Sequence, residues 1–271
     1  MNAIAAADVS RALFASVRGA HRAVVEAVEA GIGAGAGLID NAAAPNDCGR
    51  WAVRFADGQA LRPGDVLVEI EGRAAELGVA EDFVLGPLGF ACGVATRARR
   101  LRRAAPAGLS VACGGWKKLP AALKPCLRAG LAAGGVLPRL VAGDFIYLSK
   151  NAVRLLGGVA EAIEAGRALE RGPVAVQVRS AAEALAATRL GAGVIMVDTG
   201  DLADLAEAHS TLVDASLRDG VTLAFGGGVT LEQLEPAHRA GAQAVDVGRA
   251  ILDAPLLDLR MRVVEPISGR P

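Results

Sequence analysis

Aromatic side chains are scarce in this chain: Trp, Tyr and Phe together make up 3% of its 271 residues. That scarcity removes the stacking platforms on which single-stranded nucleic acids lie. A charge imbalance is missing as well, since Lys plus Arg and Asp plus Glu each number 29. No global field therefore draws the chain to nucleic acid or to an anionic membrane. Cysteine is limited to Cys48, Cys92, Cys113 and Cys126, with no CxxC or metal-type spacing. Set among apolar neighbours, these read as reduced core residues of a cytoplasmic protein. No apolar run approaches membrane-spanning length. Residues 1–22 carry Asp8 and Arg11 inside any would-be signal core, so they do not read as a signal peptide. Histidine is down to three, His21, His209 and His238, all in segments with a helical pattern and away from strand ends. Histidine general-base chemistry is thereby disfavoured.

What the chain does have is apolar residues, 52% of the total, enough for one large core or for a barrel with a smaller domain. Helical alternation covers Ala6–Ala30, and the small-residue stretch GIGAGAG follows. WAVRFADG, turning at Asp57-Gly58, and GDVLVEIEG then read as strands. From about Ala80 to Ala105 the pattern is helical and ends in the basic cluster Arg97–Arg103, read as a solvated helix end. A regular beat begins at Gly108. Its strand candidates are Leu109–Cys113, Phe145–Ser149, Val174–Val178, Val194–Asp198, Val221–Phe225 and Ala244–Gly248, separated by Ala- and Leu-rich helical segments. Continuous apolar strands alternating with amphipathic helices predict parallel strands covered by helices. The expected fold class is α/β: a partly complete parallel α/β barrel of about six strands with a smaller N-terminal α+β domain. The expected boundaries are 1–107 for the N-terminal domain and 108–265 for the barrel, with a C-terminal tail able to return to the first. A doubly wound open sheet competes, but such sheets usually place a glycine loop after the first strand, and here it comes late.

That late segment, Val221 to Arg249, carries the clearest functional signal. It predicts a buried strand (Val221–Phe225), a turn of Gly226, Gly227 and Gly228, a helix opening at Thr230, and a second strand ending in Gly248-Arg249. Glycines let backbone N–H groups approach an anion, and a following helix start adds its positive end. The last strand-to-helix loops of a parallel barrel commonly hold phosphate. The competing reading is a tight turn without a ligand. At the other strand ends stand Gly114-Gly115-Trp116-Lys117-Lys118, Ser149-Lys150-Asn151, Arg179 and Asp198-Thr199. The chain has only four lysines, and three of them (Lys117, Lys118, Lys150) follow barrel strands. They suit the binding of phosphate or carboxylate groups, or a Schiff base if one is desolvated, or simple solvation of the rim. Asp198 suits magnesium or ribose hydroxyls, with a helix N-cap as the structural alternative.

These residues also resemble a known family. The order of a small N-terminal domain with GDVLVEIEG, the helix AEDFVLGPLGFACGVATRARRL, and a barrel ending GGGVTLEQL…AVDVGRAILDAPLLDL is similar to the type II phosphoribosyltransferases, quinolinate phosphoribosyltransferase and its ModD-like relatives, from about Trp51 to Val264. The resemblance implies transfer of a ribosyl-phosphate group from phosphoribosyl pyrophosphate with magnesium, and a homodimer in which one subunit's N-terminal domain covers the other's barrel mouth. By position, it implies that Gly226, Gly227, Gly228, Gly248 and Arg249 hold the 5′-phosphate. Asp198 would hold ribose or Mg2+, and Lys117, Arg139, Lys150 and Asn151 would face the acceptor and the pyrophosphate.

Several of the family's positions are changed here. Its arginine after the helix-opening glutamate is Asp82, and the arginine before its Ser-Gly is Phe90. Asp-Thr-Arg-Lys-Thr after the first barrel strand is Gly114-Gly115-Trp116-Lys117-Lys118, and His-Arg is Pro138-Arg139. Lys-Asp-Asn-His is Ser149-Lys150-Asn151-Ala152, and the glutamates of the third strand are Ala175, Gln177 and Arg179. Each buried, hydrogen-bonded charge removed from a ligand site costs about 2–5 kcal/mol. The expectation is therefore a divergent transferase acting on a nitrogen heterocycle less anionic than quinolinate, with Lys117, Lys150 and Asp198 as catalytic candidates. A Schiff-base lyase on the same barrel and a non-catalytic paralogue are the alternatives.

Overall fold

The structure, a computed structural model, describes residues 9–39 and 48–266. Two compact units appear: one comprises the described residues within Met1–Arg100, Leu119–Gly135 and Ala254–Pro271, the other Leu101–Lys118 and Val136–Asp253. The first unit contains strands β1 (Ala20–Ala27), β2 (Gly31–Ile32), β3 (Arg50–Val53), β4 (Ala60–Leu61) and β5 (Val66–Arg73). Helix α1 (Ala74–Ala104) follows, and α2 (Lys124–Gly134) returns to the same unit.

Residues 20–27 form a strand where the alanine spacing predicts a helix. Tertiary pairing overrides that pattern, because β5 lies antiparallel on one side of β1 and a C-terminal strand lies antiparallel on the other. The β-branched Val24 and Val25 suit the pleated position, and His21 consequently sits on a strand rather than a helix. Helix α1 begins six residues before the expected Ala80 and buries Leu77, Val84 and Leu88 against Leu67, Val68 and Ile70 of β5. By length and hydropathy it is long and apolar enough to cross a bilayer, contrary to the sequence reading, but more than half of its most apolar stretch is buried in the protein. It is a core helix. Its small residues Ala91 and Ala95 meet Cys126 and Ala133 of α2. Arg99 also departs from the expected solvated cluster, donating 2.7 Å to the carbonyl of Ala133 at the end of α2, where helix carbonyls lack partners.

Among the described residues, Glu26 is the buried charged residue of this unit, with Arg260 Nε at 2.6 Å and Arg262 at 3.3 Å. Hydrogen bonds from Arg260 and then Arg262 hold its carboxyl below the ordinary glutamate value. A depressed folded-state pKa contributes stability above the unfolded value, about 4.3, that disappears as pH falls through the lowered one. Glu26→Gln is therefore expected to flatten the acid side of the stability curve. The urea midpoint measured from neutral pH downward checks this; an unchanged slope would refute it.

The second unit is a six-stranded, all-parallel sheet of β6 (Ser110–Ala112), β7 (Ile146–Leu148), β8 (Val174–Val178), β9 (Val194–Val197), β10 (Thr222–Phe225) and β11 (Ala244–Asp246). Its order is β6-β11-β10-β9-β8-β7, and a single parallel bridge from Ala112 to Leu137 extends the β6 edge. All six strands fall within the segments expected from the sequence. Helices α3 (Lys150–Leu156), α4 (Val159–Arg167), α5 (Ala181–Arg189), α6 (Leu202–Asp214), α7 (Leu234–Arg239) and α8 (Gly248–Leu252) alternate with them. Inward positions Ala175, Val194, Met196, Ala224 and Ala244 form an interior cluster with Leu140, Val141, Phe145 and Tyr147. Outward positions such as Val176, Ile195, Leu223, Phe225 and Val245 are fully buried, the two-sided burial of a parallel barrel sheet. Strand β12 (Leu259–Pro266) belongs to the first unit and completes the sheet order β12-β1-β5-β3.

All four cysteines are buried, and Cys92, Cys113 and Cys126 are free thiols. Burial pushes the Cys92 and Cys113 thiols up to about 11. At pH 8 only about one in a thousand of each is thiolate, the reactive form. A thiol reagent at that pH is expected to leave both unlabelled in the folded protein and to label both after denaturation; rapid labelling of either in the native state would contradict it.

Candidate active site

A cavity of about 270 Å³ opens at the carboxyl ends of β6 and β11. It is lined by Gly114, Trp116, Lys117, Pro138, Arg139, Leu140, Phe145, Tyr147 and Asp246, all in the second unit. Lys117 sits on a single-turn 3-10 helix after β6, its ammonium 5.9 Å from the Tyr147 ring centroid, within cation–π range. Phe145 meets Tyr147 edge-on at 6.4 Å. Burial, with Asp246 and Asp198 nearby, raises the Tyr147 phenol well above its usual range, so it remains neutral. Arg139 lines the same cavity, and neither Arg139 nor Lys117 has an ion pair among the described residues.

Beside the cavity, three side chains form a closed network. Ser149 caps α3, accepting the Ala152 N–H at 3.3 Å, so Lys150 becomes the first helical residue. The Lys150 backbone N–H donates to Gln177 Oε1 at 2.8 Å. Gln177 Nε2 in turn donates to Asp198 Oδ2 at 2.8 Å. Lys150 Nζ closes the ring, 2.9 Å from Asp198 Oδ2 and 2.9 Å from the Asp198 carbonyl. One carboxylate oxygen of Asp198 is thus fixed by two donors. The N-cap alternative for Asp198 does not apply, since Asp201 caps α6 by accepting the Ala203 N–H at 2.8 Å. Lys150, a candidate nucleophile by sequence, spends its amine on a carboxylate and a carbonyl.

The glycine turn stands directly against this network. A Cβ on Gly226 would lie 3.0 Å from Asp198 Oδ1 and 3.7 Å from Asp246 Cβ, so the two aspartates bracket that position. Gly227 has φ +102° and approaches Gly200 so closely that a Cβ would overlap the Gly200 nitrogen. The Gly200 N–H bonds the Gly226 carbonyl at 3.0 Å, tying the loops after β9 and β10 together. The expected helix at Thr230 is absent: α7 opens at Leu234 and runs six residues. Pro236 explains the delay. In a helix from Thr230 it would sit in the interior, lacking an N–H; in α7 it occupies the first turn, where none is needed. Gln233 Oε1 takes the Thr230 N–H instead, at 3.0 Å. The turn thus has no helix start behind it to add a dipole.

Gly248 and Arg249 likewise differ from their expected strand-end placement. They open α8, and the 82% exposed Arg249 side chain pairs with Asp253 one turn on, at 3.0 Å. Asn151 is exposed in the first turn of α3. The residue that sequence reasoning passed over is Asp246, the last residue of β11. Its Oδ1 accepts the Gly114 N–H at 2.8 Å, and its carboxyl pKa is raised by burial first. The signal was present: Ala-Val-Asp at the end of β11 repeats the apolar-apolar-Asp order of Met196-Val197-Asp198, where the aspartate directly follows β9. Gln177, noted only as a replaced glutamate, was the other omission.

Comparison with known proteins places these features in context. A family model described as the quinolinate phosphoribosyl transferase C-terminal domain matches residues 94–262, and its N-terminal counterpart matches residues 10–92. A probable nicotinate-nucleotide pyrophosphorylase (carboxylating) of Archaeoglobus fulgidus is 26% identical over 211 residues, covering 77% of this chain and 81% of that protein. The rat nicotinate-nucleotide pyrophosphorylase (carboxylating) is 26% identical over 211 residues, covering 76% and 70%. Among solved structures, the nicotinate-nucleotide pyrophosphorylase of Ehrlichia chaffeensis superposes with TM-score 0.80 at 14% identity, covering 95% of this chain and 92% of the other. That of Francisella tularensis gives 0.76 at 18%, covering 97% and 98%. These structural likenesses concern the fold.

Proposed function

The chain belongs to the quinolinate phosphoribosyl transferase family of type II phosphoribosyltransferases, and from that premise we propose that it forms an N-glycosidic bond between phosphoribosyl pyrophosphate and a nitrogen heterocycle less anionic than quinolinate. In that reaction the ring nitrogen bonds to ribose C1. The C1–oxygen bond breaks, and pyrophosphate leaves with the electron pair. The observation that carries the reading is Asp198, pinned through one oxygen by Lys150 and Gln177, with the other oxygen directed at the glycine turn. Backbone N–H groups of Gly227 and Gly228 would receive the 5′-phosphate, whereas the Gly226 N–H, expected to join them, donates to the Val197 carbonyl at 2.9 Å. Asp198 would hold the ribose or a magnesium ion.

Magnesium fits only as an ion shared with substrate. Among the described residues no three His, Cys, Asp or Glu side chains converge, whereas Mg2+ commonly takes one or two carboxylates and completes its shell with phosphates and water. Asp198 would hold such an ion together with substrate phosphates, and it would supply charge neutralisation for the leaving pyrophosphate. Lys117 and Arg139 face the acceptor and the pyrophosphate. Two cations beside Trp116, Leu140, Phe145 and Tyr147, with Asp246 in the same wall, suit one carboxylate better than two. A homodimer and a reducing cytoplasmic setting complete the proposal. The buried free thiols of Cys92, Cys113 and Cys126 support the second; light scattering tests the first.

The decisive assay is magnesium-dependent pyrophosphate release from phosphoribosyl pyrophosphate with quinolinate, nicotinate and nicotinamide as separate acceptors. Release with a monocarboxylate or uncharged acceptor is expected to exceed that with quinolinate. Inertness of the donor with every acceptor would overturn the transfer, and a clear preference for quinolinate would overturn the acceptor class. A Schiff base at Lys150 finds no support in an amine held by both Asp198 oxygen types; borohydride trapping is expected to yield no adduct.

A further inference from the structure

We propose that Asp246 is the specificity-determining residue of the acceptor cavity, selecting a flat nitrogen heterocycle that presents an amino or amide N–H to its carboxyl group. The inference rests on the cavity being the acceptor site of the proposed transfer. Asp246 ends β11 with its Oδ1 fixed by the Gly114 N–H at 2.8 Å, and the Gly248 backbone adds a second bond. The carboxyl therefore cannot swing away to water. Its second oxygen is seated over Gly114, where an added Cβ would lie 2.7 Å from Oδ2. Glycine at position 114 is what gives this carboxyl its place, a close approach that no other residue permits.

The neighbours leave few roles for that oxygen. Among the described residues no side chain forms a hydrogen bond or ion pair with Asp246, although Lys117 and Asp198 are near enough to affect its charge. Across the cavity stand the Tyr147 and Phe145 rings, the Trp116 side chain and Leu140, walls suited to a planar ring. Arg139 and Lys117 supply the cations for a single carboxylate. A cavity of about 270 Å³ is at the small end for small-molecule sites, the size of one ring rather than of a nucleotide. An acceptor N–H opposite Asp246 gains a charge-assisted hydrogen bond, and a carboxylate there meets like charge. A site built to bond a substrate N–H strongly rejects the analogue lacking it, because its own polar group is left unpaired.

The test separates binding from transfer. Binding of 6-aminonicotinate, nicotinamide, nicotinate and quinolinate is measured without donor by calorimetry, with quenching of Trp116 as a second reading. At least one amino- or amide-bearing probe is expected to bind tenfold or more tightly than nicotinate, and quinolinate is expected to bind most weakly. Asp246→Ser should reduce that preference to less than twofold and improve quinolinate. Gly114→Ala, which keeps the charge but displaces the carboxyl, should act in the same direction. An identical ranking in wild type and both variants, or equal weakening of every probe, overturns the assignment. If the ranking shifts as expected while no acceptor supports pyrophosphate release, the transfer fails and the role of Asp246 as the cavity's selector stands.

Discussion

Asp198→Ala is expected to lower kcat/KM for phosphoribosyl transfer by about a thousandfold. The carboxylate is held by a side-chain donor pair, and its removal leaves Lys150 and Gln177 without their shared partner. Removing one member of such a charged pair costs about 2–5 kcal/mol, of which each 1.4 kcal/mol is tenfold. Lys150→Met should cost less, because the Lys150 side chain is 41% exposed and solvent screens its pair. Measured together with Asp198→Asn, the two form a double-mutant cycle; strict additivity would show that the ion pair has no part in transfer. Circular dichroism of Asp198→Ala should match the wild type, since the carboxylate caps no helix.

Gly227→Ala is expected to be the most damaging change to stability in the loop region, about 3 kcal/mol. The residue has φ +102°, and a Cβ would collide with the backbone of Gly200 rather than with a movable side chain. Positive-φ strain and overpacking each contribute about 1–3 kcal/mol. Tm should fall by roughly 6–12 °C at about 2–4 °C per kcal/mol. Gly228→Ala is the control. It shares φ +102° but would place its Cβ in open space, so only the strain of about 1–2 kcal/mol applies. Its larger effect should appear in the donor KM, about tenfold: relief of that strain turns a backbone N–H away from the charged phosphate, a bond worth ~1.5 kcal/mol. Equal Tm losses for both variants would refute the loop-to-loop contact as the source of the cost.

The parallel sheet was legible in the sequence because its strands are buried on both faces, and uninterrupted runs such as Val194–Val197 resemble nothing else at that length. The first strand was not. Its AHRAVVEA segment carries a helix-like spacing, and only the partners on either side, β5 and β12, make it a strand. Local pattern cannot report a partner some 240 residues away. In the site, Lys117, Lys150, Asp198 and the glycine turn were visible as strand-end residues, and Arg139 through the family resemblance. What the sequence could not supply was direction: Arg249 turns to its own helix, and Asn151 faces solvent. Asp246 was hidden by a boundary error of two residues, since a strand drawn to Gly248 makes the aspartate an interior position. Pro236 was a readable signal against a helix at Thr230 and was the cheapest correction available.

The pairing of β1 with β12 has a consequence for how the chain comes off the ribosome. Residues 20–27 emerge first and find β5 within some 50 residues, but the other edge of β1 has no strand to bond until Leu259–Pro266 has been made. Glu26 waits for the same moment, because both of its arginines, Arg260 and Arg262, lie on that late strand. Throughout synthesis of the whole parallel sheet, the first unit thus carries an open strand edge and an uncompensated carboxylate. Such edges invite pairing with other chains. Shortening the nascent chain before Leu259 would make that temporary state permanent.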